Sequence, residues 1–177
     1  MLNKKTNYIV KVGILSAIAL VIYLIEFPIF PAFPWLMVDF SEVPVLLGGF
    51  ALGPVAGIII EFIKNVLHFL VKGATGGVGE LANFLLGVAF ILPALWLYKY
   101  NKSRKTAIIG MLIGIVVACG MSALLNLYLF IPLYFPAMEN VWQYMLIGAI
   151  PVTAIKCVMN AVVVYFVYPF LTKILHK

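Results

Sequence analysis

The chain has 177 residues, of which 65% are hydrophobic and 10% charged, with a formal net charge of +6. Such an apolar excess lies far outside the range of soluble domains, so a soluble enzyme is excluded and the membrane class is implied. The length leaves room for one compact bundle over residues 1–177, without a separate soluble domain.

The apolar runs and their Pro, Gly and polar breaks predict six helical segments, at about 8–27, 43–52, 54–72, 80–98, 106–132 and 144–173. No removable leader is evident, because the first run is itself long enough to span a bilayer. On that run Gly13 and Ala17 stand four residues apart and form a small patch that a partner helix could approach; packing inside the bundle is the alternative. The stretch from Phe27 to Trp35, rich in Phe and Pro, is expected to fold back over the bundle as a cap. The second segment covers about half of a ~30 Å hydrocarbon core, so protein has to surround it. Ser41 is expected to cap it, with Pro44 in the first turn where its missing N–H costs nothing.

The third segment carries Glu61, Lys64, Asn65, His68 and Lys72 at steps of three and four, which places them within an arc of about 100° on a helix. Exposure of such a stripe to lipid is expensive, so it faces protein or water. One reading is an internal Glu61–Lys64 pair with His68 and Lys72 near the outer surface. Between segments three and four lies Lys72-Gly-Ala-Thr-Gly-Gly-Val-Gly79, which lacks the lysine and serine of a phosphate-binding loop and reads as a flexible connection. Glu80 and Asn83 then open the fourth segment. The fifth holds Gly110, Gly114, Ala118, Ser122 and Asn126 at four-residue steps, small residues that let a neighbour helix come close. On the sixth, Thr153, Lys156 and Asn160 share a face, and Lys156 needs a carboxylate from another segment, backbone carbonyls or a ligand acceptor. Cys119 and Cys157 fall inside segments and read as small apolar residues.

Basic residues gather at Lys4, Lys5 and Lys11, at Lys99, Lys102, Arg104 and Lys105, and at Lys173 and Lys177. Six crossings place all three groups on one side, which the positive-inside rule makes cytoplasmic together with both termini. The opposite loops carry Asp39, Glu42, Glu80 and Glu139, so the positive charge is a topology signal and no nucleic-acid partner is expected. With that orientation Asn65, Asn83, Asn126, Thr153 and Lys156 share one depth in the outer half, Thr153 lying ~13 Å below the start of its segment. Apolar and aromatic walls with a few fixed polar groups describe a small-molecule pocket, and an amide-rich set suits a neutral heterocycle better than a metal or simple anion. A membrane-embedded enzyme would have to use Glu61, Lys64 and His68, without a nucleophile–base pair or a metal motif such as HExxH. A channel would need a polar path through the cytoplasmic half. Lacking a nucleotide motif and an internal repeat, the chain reads as a binder that docks on other subunits.

Val38-Asp-Phe-Ser-Glu-Val-Pro44, Gly53-Pro-Val-Ala-Gly57, Lys64-Asn65, Gly79-Glu-Leu-Ala-Asn-Phe84, Leu125-Asn126 with Pro132-Leu-Tyr134, and Ile150-Pro151 followed by Lys156 run over nearly the whole chain. Together they resemble the riboflavin-specific S components of energy-coupling factor (ECF) transporters, most specifically in the Asp-Phe-Ser-Glu-Val-Pro stretch. The resemblance implies an all-α bundle of six transmembrane helices that captures riboflavin outside the cell, as transported ligand and not as cofactor; the alternative is an S component for a different vitamin, since the fold is shared while pockets differ. It also implies a transmembrane coupling subunit and two cytoplasmic ATPases as partners, and a small-residue motif on the first helix, here Gly13 and Ala17, as the coupling surface. Polar residues of the late helices in such pockets fall here on Asn126, Thr153 and Lys156. With Asp39, Phe40, Asn65, Asn83 and Asn160 they make up the candidate ligand-binding set.

Overall fold

The computed structural model describes residues 3–73, 76–134, 136–137 and 139–175, with side chains through Pro169. Lys177 of the terminal basic group, and Ala74 and Thr75 of the glycine-rich stretch, lie outside the described residues. The predicted all-α bundle with a short second helix is what forms. Its helices are α1 (Lys4–Tyr23), α2 (Glu42–Leu52), α3 (Pro54–Val71), α4 (Val78–Tyr100), α5 (Arg104–Leu125), α6 (Ile131–Tyr134), α7 (Val141–Tyr144) and α8 (Ile150–Leu175). Because α5 runs on through 126–130 into α6, and α7 through 145–149 into α8, six rods result. Five of them are long and apolar enough to cross a membrane. Their outward side chains are apolar, among them Ile14, Ile18, Val21, Leu112 and Val116, as lipid requires.

The half-length α2 is enclosed by α1, α3, α4 and α8, and eight of its residues are buried. Its break from α3 is made by Gly53, at φ +103°, followed by Pro54 in the first turn of α3, a glycine-stop and proline-start pair. Ser41 does not cap α2 with its side chain as expected. Instead Asp39 Oδ1 accepts the Ser41 backbone N–H at 2.7 Å, and the Ser41 hydroxyl accepts from Lys64 Nζ at 2.9 Å. A buried ammonium needs an oxygen more urgently than a helix end that a nearby carboxylate already serves.

The small-residue ladder of α5 packs on α4. A Cβ at Gly110 would stand 2.5 Å from Ala94 Cα, and one at Gly114 would overlap the Phe90 carbonyl. Both long final rods contain a π-helical turn, at Asn126–Phe130 and at Met145–Ala149. Each ends two residues before a proline, Pro132 and Pro151, which cannot donate to the carbonyl four residues back and crowds it. The widened turn answers with five-residue bonds, Ile131 N–H to Asn126 O and Ile150 N–H to Met145 O. The stretch after α1 forms a two-residue antiparallel ladder, β1 (Phe27–Pro28) with β2 (Met37–Val38). Its tip lays Phe33 edge-on against Tyr144 and over Gly148, so the aromatic stretch covers the start of the last rod.

Candidate functional site

Between the bundle and this covering loop lies a cavity of about 460 Å³, within the size range of small-molecule sites. Three polar groupings surround it, each built from different elements.

On one side stands a cluster of five ionisable side chains. Lys156 Nζ on α8 lies 2.9 Å from Asp39 Oδ2 and 3.4 Å from Glu42 Oε1, and donates to Asn83 Oδ1 at 2.5 Å. Lys64 Nζ on α3, fully buried, is 2.8 Å from Glu61 Oε2 and 3.2 Å from Glu42 Oε1. The lysine of α8 thus receives its carboxylates from the loop before α2 and from α2 itself. Glu61 meets Lys64 one turn away on its own helix, and Glu42 joins the two pairs. Both ammoniums also sit near the ring of Tyr23, at 5.3 Å for Lys64 and 5.8 Å for Lys156.

A second grouping is neutral. Trp35 Nε1 donates to Tyr144 Oη at 3.3 Å, Tyr144 donates to Asn126 Oδ1 at 3.3 Å, and Asn126 Nδ2 donates to Ser122 O at 2.8 Å. The Thr153 hydroxyl lies 2.9 Å from Ser122 Oγ and from Ala149 O. This relay links the covering loop, the π turn of α5–α6 and the head of α8. It lines the cavity with an amide, hydroxyls and aromatic rings.

The third grouping joins the ends of α1 and α3 to the start of α4. His68 near the end of α3 sits 3.1 Å from Glu80 Oε1 on α4 and stacks on Tyr23 with ring centroids 3.8 Å apart. Glu26, just past α1, receives Lys72 Nζ at 2.6 Å.

Of the sequence-predicted set, Asp39, Asn83, Asn126, Thr153 and Lys156 line the cavity. The remaining three stand behind it. Asn65 donates to Glu61 and accepts from Asn83 at 3.1 Å, and Asn160 donates to the Asp39 carbonyl at 2.8 Å. Phe40 packs against the apolar core. Asp39, Glu42 and Glu80, expected in surface loops, are buried, and so is His68, expected near the surface. Tyr23, Glu26, Trp35 and Tyr144 line the cavity without having been singled out in the sequence. Glu26 carried a signal, being an acid at the end of an apolar run. The aromatics carried none beyond a preference for the membrane interface. Cys157 is buried on the cavity wall and Cys119 half-buried, both as free thiols. Gly13 and Ala17 are exposed, and a Cβ on Gly13 would meet nothing within 4 Å among the described residues.

Residues 7–168 match the family described as ECF transporter, substrate-specific component. The chain is similar to the riboflavin transporter RibU of Staphylococcus aureus, 37% identical over 99% of this chain and 96% of the relative. It is also 36% identical to the riboflavin transporter FmnP of Bacillus subtilis, over 93% of this chain and 91% of that one. Among solved structures it superposes on the S component of a bacterial ECF transporter with a TM-score of 0.86 at 36% identity, covering 98% of this chain and all of the other. A structure of ThiT from Listeria monocytogenes shares the fold, with a TM-score of 0.66 at 15% identity. The chain therefore belongs to the family of substrate-specific components of ECF transporters, as a multi-pass protein of the cell membrane that works with an ECF module and is not an enzyme.

Proposed function

We propose that this chain binds riboflavin in the cavity between the bundle and its covering loop, and presents it to an ECF module for ATP-driven uptake. The observation that carries the reading is the neutral relay. Asn126, Ser122, Thr153 and Tyr144 offer donors and acceptors beside Trp35, which is what a flat heterocycle with several polar edges requires. Similarity to two riboflavin transporters over nearly the full chain supports it. The candidate binding residues are Asp39, Phe40, Asn65, Asn83, Asn126, Thr153, Lys156 and Asn160. Those that line the cavity touch the ligand, and Phe40, Asn65 and Asn160 hold the liners in place.

The same reading takes residues 1–177 as one transmembrane substrate-binding domain. Its termini are cytoplasmic and its cavity opens outward, in keeping with the basic residues at 99–105 beside the turn opposite the cavity. The partners are a transmembrane coupling subunit and two cytoplasmic ATPases, with the exposed Gly13/Ala17 face as the docking surface. Protein purified in detergent should show a flavin absorption band, or quench riboflavin fluorescence on titration. In vesicles the chain alone should bind riboflavin saturably without ATP-driven accumulation. Absence of both band and quenching overturns the reading.

A further inference from the structure

His68 of α3 stands between two acids from other elements. Its Nδ1 lies 3.1 Å from Glu80 Oε1 at the start of α4, and its Nε2 lies 4.0 Å from Glu26 Oε1, just past α1. One face of the ring stacks on Tyr23 with centroids 3.8 Å apart, and the residue is buried. Along α3 its charged neighbours are Lys64, one turn back, and Lys72, one turn on, which holds Glu26 Oε1 at 2.6 Å. Lys156 of α8 lies beyond Tyr23, 5.8 Å from the centre of that ring. Nε2 has no hydrogen-bond partner among the described residues.

With Nδ1–H given to Glu80, a neutral imidazole turns a lone pair toward the Glu26 carboxylate, acceptor against acceptor. A proton on Nε2 turns that mismatch into a charge-assisted donor facing an oxygen only about 1 Å beyond hydrogen-bond range. It also sets two cations, His68 and Lys72, against two anions, Glu26 and Glu80. We propose that His68 is a proton-operated latch: once protonated it bridges Glu80 and Glu26, and so ties the end of α1 to α3 and α4. Strand β1 begins at Phe27, the residue after Glu26, so a hold on Glu26 is a hold on the loop that covers the cavity. Histidine is the side chain whose ordinary titration falls between pH 5 and 8. The other histidine of the chain, His176, is the next-to-last residue of the sequence. The latch concerns the loop and not what the cavity holds, so it stands apart from the riboflavin reading.

Amide exchange of the full chain in detergent tests the latch without any ligand, at about pH 5.5 and about pH 7.5, on either side of the ordinary histidine titration. The reporters are Leu24 and Ile25, whose N–H groups bond back to Leu20 and Ile22 at the end of α1. His68→Gln keeps a polar side chain that takes no proton, and comparing it with the wild type at one pH cancels the intrinsic exchange rate. At the lower pH the wild type should exchange these amides roughly 3- to 10-fold more slowly than His68→Gln, the effect of one added hydrogen bond. At the higher pH the two should exchange alike. His68→Asn, shorter and equally uncharged, should give the same pattern. Glu26→Gln removes the acid that the protonated ring would meet, so in that background His68→Gln should change nothing at either pH. Equal protection by His68 at both pH values makes it a packing residue and overturns the latch. No protection at the lower pH overturns it too, and so does a low-pH effect that survives in Glu26→Gln.

Discussion

The charged cluster and the neutral relay beside the cavity are both buried and polar, yet they are joined differently. Lys64 and Lys156 are held by three carboxylates at 2.8 to 3.4 Å, and those contacts tie the loop before α2, α2, α3 and α8 together. In the relay, the bonds from Trp35 to Tyr144 and from Tyr144 to Asn126 are both 3.3 Å, longer than the usual N–H···O and O–H···O separations. Every group in the relay is neutral and can exchange a protein partner for a ligand atom without uncovering a charge. A charge in the first cluster cannot do so, because a buried ion without its counter-ion is costly. On the proposed reading the difference is a division of labour: ion pairs fix where the helices stand, and neutral amides and hydroxyls read what enters between them.

The most forceful way to break this division is Lys64→Met, which keeps length and apolar bulk but leaves Glu42 and Glu61 facing one another without their shared cation. Removing one partner of a buried pair costs about 3–5 kcal/mol, so the thermal midpoint in detergent should fall sharply. An unchanged midpoint would mean that the cluster does not fix the fold. Lys156 stands where the two regions meet, since it pairs with Asp39 and also lines the cavity. Lys156→Ala should lower stability and also weaken riboflavin by about 1.5–3 kcal/mol, roughly 10- to 150-fold. Weaker binding at an unchanged midpoint would move Lys156 wholly into the recognition set. Asn126→Ala should cost ~0.5–1.5 kcal/mol of binding, roughly 2- to 12-fold, with little change in midpoint. A loss of stability as large as that of Lys64→Met would erase the distinction.

Much of the charged cluster was legible before the structure. The α3 stripe follows from steps of three and four, and the demand of Lys156 for an acceptor (a carboxylate from another segment, backbone carbonyls or a ligand) follows from its lone position on α8. Which carboxylates answer was not legible. Asp39 and Glu42 sit at the edge of a short segment, and whether such residues turn outward or inward depends on how deep the half-helix lies, a tertiary property with no periodic signature. For the same reason Ser41 was read as a cap when its hydroxyl serves Lys64. In the relay, Asn126 and Thr153 stood out as polar residues in apolar runs, but Tyr144 and Trp35 did not, since aromatics near a membrane surface are ordinary. Pro132 and Pro151 were visible at the end of the fifth segment and inside the sixth, while the π turns before them depend on backbone bonding that residue types alone do not specify.

The finest test of the relay is Thr153→Val, which keeps the branched shape and removes one hydroxyl. That hydroxyl lies equally near Ser122 Oγ and Ala149 O, and with one hydrogen it satisfies one of them at a time. Without it the Ala149 carbonyl still accepts from Ser122 Oγ at 3.4 Å, and Asn126 keeps its bond to the Ser122 carbonyl at 2.8 Å. The local structure therefore survives, and the expected change is the net worth of a single neutral hydrogen bond or less, at most about 1 kcal/mol. Riboflavin affinity should fall no more than roughly fivefold, and the thermal midpoint should stay close to that of the wild type. A fall beyond tenfold would mean that the Thr153 hydroxyl does more than contact the ligand and also holds Ser122 and Asn126 in place for it. No fall would confine recognition to the α5 half of the relay. Combining Thr153→Val with Asn126→Ala then decides how the two act: effects that add come from independent contacts, whereas a double variant no worse than Asn126→Ala alone shows that Thr153 works through Asn126.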